Sequence, residues 1–284
     1  MTKLMRNRFI RSLGRRIKRR ISPKSFAFLR FLWYLVIFYF PCHACFWMKG
    51  RKPLVFSFGS NKGAFNLAEQ IREVNLLAPT RTCLVMTWYG SDKGSFRHNY
   101  TMVYESLFKK LMDQPLRIFE LGLGTNNEGV KSTMGTCGSP GASLRGWRKL
   151  FSYALVYGAD IDRSVLFEEE RIKTFYCDQL DPVAIKQLWA LKELRDGVDI
   201  IIEDGLHTFE ANAAFLQGSL AYVNPGGYYV VEDIHNRFAE QWFELLEATY
   251  AKQHPTYEFV FASLPSSHKD NNLLIIHKLT TAAN

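Results

Sequence analysis

Acidic residues are missing from the first 68 positions of this 284-residue chain, which hold 15 of its 36 lysines and arginines. The first acid is Glu69, so the other 21 bases face all 27 acids, and the net charge of +9 comes from the N-terminal segment alone. A catalytic domain that gripped nucleic acid would carry its own basic surface, so that partner is not expected. Cysteines are few: five, an odd number, irregularly spaced at positions 42, 45, 83, 137 and 177. They make no disulfide framework and fit a reducing, cytoplasmic setting. Cys42 and Cys45 form a C-x-x-C, but no second Cys/His pair stands near it at zinc spacing. A long hydrophobic run is missing too. The apolar stretch 31–42 is about a dozen residues, short of the ~20 that cross a bilayer as a helix. No small-residue cleavage motif such as A-x-A follows it. A dinucleotide G-x-G-x-x-G is also absent, because position 127 after Gly122 and Gly124 is Asn.

What the N-terminus does hold is Arg15-Arg16-Ile17-Lys18-Arg19-Arg20, followed by an aromatic-rich stretch with Trp33, Tyr34, Tyr39 and Trp47. Interfacial aromatics beside basic side chains suit an anionic membrane surface. Two readings stay open. Residues 1–52 associate with the inner face of a membrane, as a short anchor or an interfacial helix, or they form a hydrophobic helix packed on the catalytic domain or a partner subunit. Homo-oligomerisation is equally open. Residues 53–113 read as a helical lead-in, with helical apolar spacing over 65–77 and 100–112. Within it, the Gly90–Tyr104 segment, with Asp92, Lys93, His98 and Tyr100, reads either as a lid over a cofactor or as a structured turn.

From position 114 to 284 apolar, β-rich runs alternate with helical patterns. Strands are expected over 117–121, 155–159, 174–177, 198–203, 228–232, 257–263 and 273–277, with helices over 144–153, 182–194, 208–222 and 238–253. Buried strands separated by crossover-length segments predict an α/β, Rossmann-like, doubly wound and mostly parallel seven-stranded sheet. The short link between the last two permits a hairpin, and so an antiparallel edge strand.

The first of these strands runs into Glu120-Leu121-Gly122-Leu123-Gly124, and glycines at a strand's carboxyl end let a ligand approach the backbone. The second ends in Gly158-Ala159-Asp160-Ile161-Asp162, where an acid can accept both hydroxyls of a ribose; Asp160 directly follows the strand. After the third comes Asp178, whose carboxylate can take an adenine amino group. An E-x-G-x-G, a strand-two acid and a strand-three Asp in this order resemble class I S-adenosylmethionine-dependent methyltransferases. The resemblance covers about residues 88–279. It implies that Glu120, Gly122 and Gly124 accommodate the methionine part of the cofactor, that Asp160 holds the ribose, and that Asp178 holds the adenine.

Strand four ends in Glu203-Asp204-Gly205-Leu206-His207 and strand five in Glu232-Asp233. Both acidic pairs leave the carboxyl edge of neighbouring strands. Clustered carboxylates repel, and a hard cation between them removes that cost; an oxygen donor set favours Mg2+ or Mn2+. These motifs, with Gly90-Ser91-Asp92-Lys93-Gly94 and Pro140-Gly141-Ala142-Ser143-Leu144-Arg145-Gly146-Trp147, resemble metal-dependent sugar O-methyltransferases of macrolide biosynthesis. The cephalosporin hydroxylase family looks similar. The sugar methyltransferase resemblance implies Mg2+ held by Asp204, Glu232 and Asp233, with His207 as general base. The expected activity is methylation of a sugar hydroxyl on a glycoside, glycolipid or polysaccharide, in which Asp204 and His207 are the catalytic pair. A cephalosporin hydroxylase-like oxygenase and a non-catalytic cofactor-binding subunit are the competing readings.

Overall fold

The computed structural model describes residues 52–59, 66–76, 80–94, 98–136, 138–265 and 269–280. The basic and aromatic N-terminal segment, with the membrane reading attached to it, lies outside these residues. Among those described, no helix is long and apolar enough to cross a membrane.

One sheet of nine strands organises the described residues. In chain order the strands are β1 (Leu54–Phe58), β2 (Arg117–Leu121), β3 (Leu155–Asp160), β4 (Glu168–Glu169), β5 (Ile172–Tyr176), β6 (Val198–Glu203), β7 (Val223–Ile234), β8 (Tyr257–Ser263) and β9 (Asn272–Lys278). Their order across the sheet is β1-β8-β9-β7-β6-β2-β3-β5-β4. The neighbours β7-β6-β2-β3-β5 are parallel. The seven expected strands are all present. The expected hairpin, β8–β9, lies inside the sheet, because β9 inserts antiparallel between β7 and β8. Two further strands, β1 and β4, form antiparallel edges. Neither is legible in the sequence: β4 is two residues long, and β1 lacks the alternation of a half-buried strand.

Helices α1 (Leu67–Arg72), α2 (Arg81–Tyr89), α3 (Tyr100–Phe108) and α4 (Ala142–Leu150) supply one face, and α5 (Pro182–Trp189), α6 (Phe209–Ser219) and α7 (Ala239–Leu245) the other. Strand side chains alternate between the two cores: Ile118, Ile200 and Val230 pack with Tyr104 and Trp147 on one side, while Phe119, Ile201 and Val231 pack with Trp189 and Phe215 on the other. Several helix starts are fixed by side-chain caps. Thr80, Asp181 and Thr208 each accept from a backbone N–H two or three residues on, and Pro182 occupies the first turn of α5.

The described residues of 53–113, expected as a lead-in, pack into this same body. Strand β1 extends the sheet through β8, and α1, α2 and α3 supply about a third of the buried residues of one core. The Gly90–Gly94 turn packs inside rather than covering a crevice as a lid: Ser91, Lys93 and Gly94 are buried.

Candidate active site

Strands β2, β3, β5, β6 and β7 all end at one edge of the sheet, and every expected site residue lies there. The glycine turn after β2 is built on backbone that only glycine adopts easily, with φ +90° at Gly122 and +75° at Gly124. A Cβ on Gly122 would sit 1.9 Å from the carbonyl oxygen of Asp204, and one on Gly124 would sit 2.0 Å from Met134 Sδ. The Asp204 N–H in turn donates to Leu121 O at 2.9 Å. The glycine turn and the first acid of the expected metal site are therefore in direct backbone contact. Residues 134 and 141 are bonded to the same turn, with Met134 N donating to Thr125 O and Gly141 N to Leu123 O, both at 2.8 Å.

Glu120 lies behind this turn and is fully buried. It accepts from Ser143 Oγ and Trp147 Nε1 on α4, both at 2.5 Å. Asp160 accepts the Leu123 N–H at 2.7 Å and the Asp162 N–H at 2.8 Å, and burial raises its carboxyl above the usual range. Asp162 is more exposed and accepts from Thr125 Oγ1 and Ser164. Asp178 caps its own turn by accepting the Leu180 N–H at 2.9 Å. Ile161 and Leu180 are exposed beside Asp160 and Asp178 and offer an apolar margin.

The acids of β6 and β7 form the second half of the site. In a regular strand Glu232 and Asp233 would face opposite sides. Instead the β7–β9 register slips between Val231 and Ile234, and Asp233 takes φ +53°. Both side chains thereby reach the residues of α3 and the turn before it. Asp233 accepts from Tyr100 OH at 2.7 Å, with His98 Nδ1 at 3.4 Å. Glu232 accepts from Tyr104 OH and from Lys93 Nζ.

His207 is also held at a positive φ of 59°. Its Nε2 lies 3.9 Å from Asp204 Oδ1 and its Nδ1 lies 3.9 Å from Asp233 Oδ2. Two left-handed non-glycine residues at one site are strain that the surroundings must hold in place. Burial opposes charge on the imidazole, but Asp233, Asp204 and Glu203 outweigh it and hold His207 above its ordinary value. Asp233 is pushed up by burial and by Asp204, against the pull of His207 and His98.

Among the described residues, Asp204, His207 and Asp233 can each point one ligand atom into a common space, all within 4.8 Å of one another. This set differs from the expected Asp204, Glu232 and Asp233, because both Glu232 oxygens are already engaged by Lys93 and Tyr104. The arrangement suits a divalent cation. The carboxylates outnumber the cations, and the buried His207 Nδ1 has no hydrogen-bond partner among the described residues.

Lys93, Tyr100 and Tyr104 are the residues whose part here sequence reasoning missed. Lys93 stands in a conspicuous pentapeptide, but nothing in sequence separates a buried lysine from a surface one. Tyr104 looks like one more apolar position of an amphipathic helix.

No protein-family profile matches the chain. Over 150 residues it is 33% identical to the 8-demethyl-8-alpha-L-rhamnosyl tetracenomycin-C 2'-O-methyltransferase of Streptomyces olivaceus, covering 53% of this chain and 36% of that protein. Over 147 residues it is 33% identical to the demethylmacrocin O-methyltransferase of Streptomyces fradiae, covering 51% and 34%. Among solved structures, the MycE methyltransferase of mycinamycin biosynthesis, in complex with Mg and SAH, superposes with a TM-score of 0.53 at 25% identity, covering 73% of this chain and 56% of that one. The chain has the class I methyltransferase fold. These curated relatives are named O-methyltransferases, the first of them for the 2' oxygen of a rhamnosyl compound, and the matched region spans about a third of their length. The resemblance carried by the motifs is thus met in both sequence and structure.

Proposed function

We propose that this protein is a divalent-metal-dependent S-adenosylmethionine O-methyltransferase that methylates a sugar hydroxyl of a glycoside. One observation carries the reading: Gly122 and Asp204 are in backbone contact, so the glycine turn and the Asp204–His207–Asp233 cluster are neighbours at the same edge of the sheet. The cofactor's sulfonium methyl and an acceptor oxygen can then meet there.

In this reading the turn through Gly122 and Gly124 offers its backbone to the methionine part of the cofactor, and Glu120 supports the turn from behind. Asp160 takes the ribose, and Asp178 the adenine. Asp204 and Asp233 hold Mg2+ or Mn2+, with Glu232 close by on the Lys93 side. A divalent ion held there would supply Lewis acidity, lowering the pKa of the acceptor hydroxyl to be methylated. His207 takes that hydroxyl's proton on its imidazole, and Asp204 and Asp233 stabilise the imidazolium that results. The acceptor oxygen would form its bond to the methyl carbon as the carbon–sulfur bond breaks, with S-adenosylhomocysteine as the leaving group. The protein's main contribution is alignment of the two reactants.

The relatives' names support a glycoside acceptor, and the acidic balance beyond Ala68 speaks against a polyanion. Purified full-length protein should transfer labelled methyl from S-adenosylmethionine to a member of a panel of rhamnosides, other glycosides, glycolipids and polysaccharides, and EDTA should stop it. Transfer indifferent to the chelator removes the metal from the reading. Absence of cofactor binding by calorimetry removes the methyltransferase.

A further inference from the structure

Lys93 is 2% exposed, and its ammonium lies 2.5 Å from Asp204 Oδ2, 2.5 Å from Glu232 Oε2 and 3.5 Å from Glu120 Oε1. The three carboxylates come from three adjacent parallel strands, β6, β7 and β2, and three is the number of N–H donors an ammonium carries. Packing does not require a lysine here, since an apolar side chain of similar volume fills a core at lower desolvation cost. The need it meets is electrostatic. Glu120 and Glu232 are buried to within 1% of full coverage, and among the described residues Lys93 is the lysine or arginine that pairs with them. Burial opposes the lysine's charge, but Asp204, Glu120 and Glu232 outweigh it and hold its value well above the ordinary one. One ammonium among three carboxylates leaves negative charge over, so Glu120 and Glu232 are both held above the carboxylate range, burial being the first cause.

The position matters as much as the charge. Lys93 Nζ sits between Asp204, one of the carboxylates that a shared cation would join, and Glu232, which lies beside that site. Asp204 faces two ways, with Oδ2 on Lys93 and Oδ1 toward His207. Glu232 faces one way only, because Tyr104 OH takes its other oxygen. The lysine backbone is anchored, its carbonyl accepting from Thr101 N at 3.1 Å, so any movement belongs to its flexible four-carbon stem.

We propose that Lys93 is a tethered counter-ion that competes with the divalent cation: its ammonium keeps Asp204 and Glu232 paired in the metal-free protein, and loading of the cation displaces it from at least one of them. The inference rests on the divalent-metal reading above. It makes Lys93 a positioning residue, which prevents the carboxylates of β6 and β7 from repelling one another before an ion arrives and sets how tightly that ion is held. Glu120, already 3.5 Å from the ammonium and fastened to α4, is the carboxylate with which the displaced charge stays, linking the ion site to the support of the cofactor turn.

Two measurements on the full chain test this. Mn2+ is titrated into wild type and Lys93→Met, with free ion read by electron paramagnetic resonance. In parallel, the Lys93 side-chain ammonium resonance of 15N-lysine-labelled wild type is followed through a Mg2+ titration. Competition predicts that Lys93→Met binds Mn2+ more tightly by about tenfold or more, a change of about 1.4 kcal/mol. It also predicts that the wild-type ammonium resonance shifts or broadens away as Mg2+ saturates the site. A merely structural lysine would leave affinity unchanged or weaker in the variant, with an unmoved resonance in wild type, and that result overturns the proposal. If Lys93→Met does not fold, the wild-type resonance decides alone. Wild type that binds no Mn2+ at all overturns the divalent-metal reading and this inference with it, whereas binding with an unmoved Lys93 overturns this inference only.

Discussion

Asp160 Oδ2 accepts the backbone N–H of Leu123 at 2.7 Å, so the acid that ends β3 is fastened to the middle of the glycine turn that ends β2. The same carboxylate takes the Asp162 N–H through its other oxygen. One side chain therefore shapes the turn and remains beside it with lone pairs for a ribose. Asp160→Asn keeps the size but replaces one acceptor oxygen by a donor. Titration calorimetry with S-adenosylhomocysteine should show affinity reduced by about tenfold or more, in line with the roughly 1.5–3 kcal/mol typical of hydrogen bonds to a charged group. Wild-type affinity in this variant contradicts the assignment.

Gly122 is the tightest point of the site. Alanine there adds a Cβ 1.9 Å from the Asp204 carbonyl oxygen, at a φ of +90°. Backbone must move, and both halves of the site move with it. Gly122→Ala should lower stability by about 2 kcal/mol or more, combining backbone strain with the overlap. It should also weaken both cofactor and Mn2+ binding. Loss of cofactor binding with wild-type Mn2+ affinity would show that the two halves are independent.

His207 carries the proton in the proposed reaction and is not needed to hold the cofactor. His207→Ala should cut turnover by about 100-fold or more, the usual scale for a lost general base. S-adenosylhomocysteine affinity should stay near wild type. Turnover near wild type excludes the role.

Glu203, buried at the end of β6, provides a test by pH. Burial raises its carboxyl from 4.5 to about 7, and its Oε2 has no hydrogen-bond partner. The folded state thus binds this proton more tightly than the unfolded state does. The stabilisation is complete below the unfolded value of 4.5 and is lost as pH rises through about 7. At about 1.4 kcal/mol per unit, wild type should lose on the order of 3 kcal/mol from this group between about pH 5 and 8. Glu203→Gln keeps the shape and cannot ionise, so urea unfolding of the metal-free variant should show a flatter profile by that amount. Parallel profiles contradict the protonated state.

Much of the fold and of the site is legible in the order of the amino acids alone. Strands β2, β6 and β8 begin and end where the apolar runs do, because buried strands flanked by glycine, aspartate or proline leave little freedom in their limits. The E-x-G-x-G turn, Asp160, Asp204 and His207 are legible because each sits at the end of a strand, where chain order already places it at one edge. The orientation of Glu232 is not. It depends on a register slip at Asp233 and on a lysine and a tyrosine more than 120 residues away in the chain. Helix α2 also escapes notice, since Arg81–Tyr89 shows only a weak apolar stripe and is held by Thr80 at its start and the left-handed Gly90 at its end.

The proposed chemistry depends most on a cation bound beside the glycine turn. A crystal of the full chain grown with Mn2+ and S-adenosylhomocysteine, measured at the manganese absorption edge, tests it directly. The predicted result is one anomalous peak within bonding distance of carboxylate oxygens of Asp204 and Asp233, on the side where the cofactor's sulfur lies. A peak elsewhere, or none at an ion concentration that saturates activity, contradicts it.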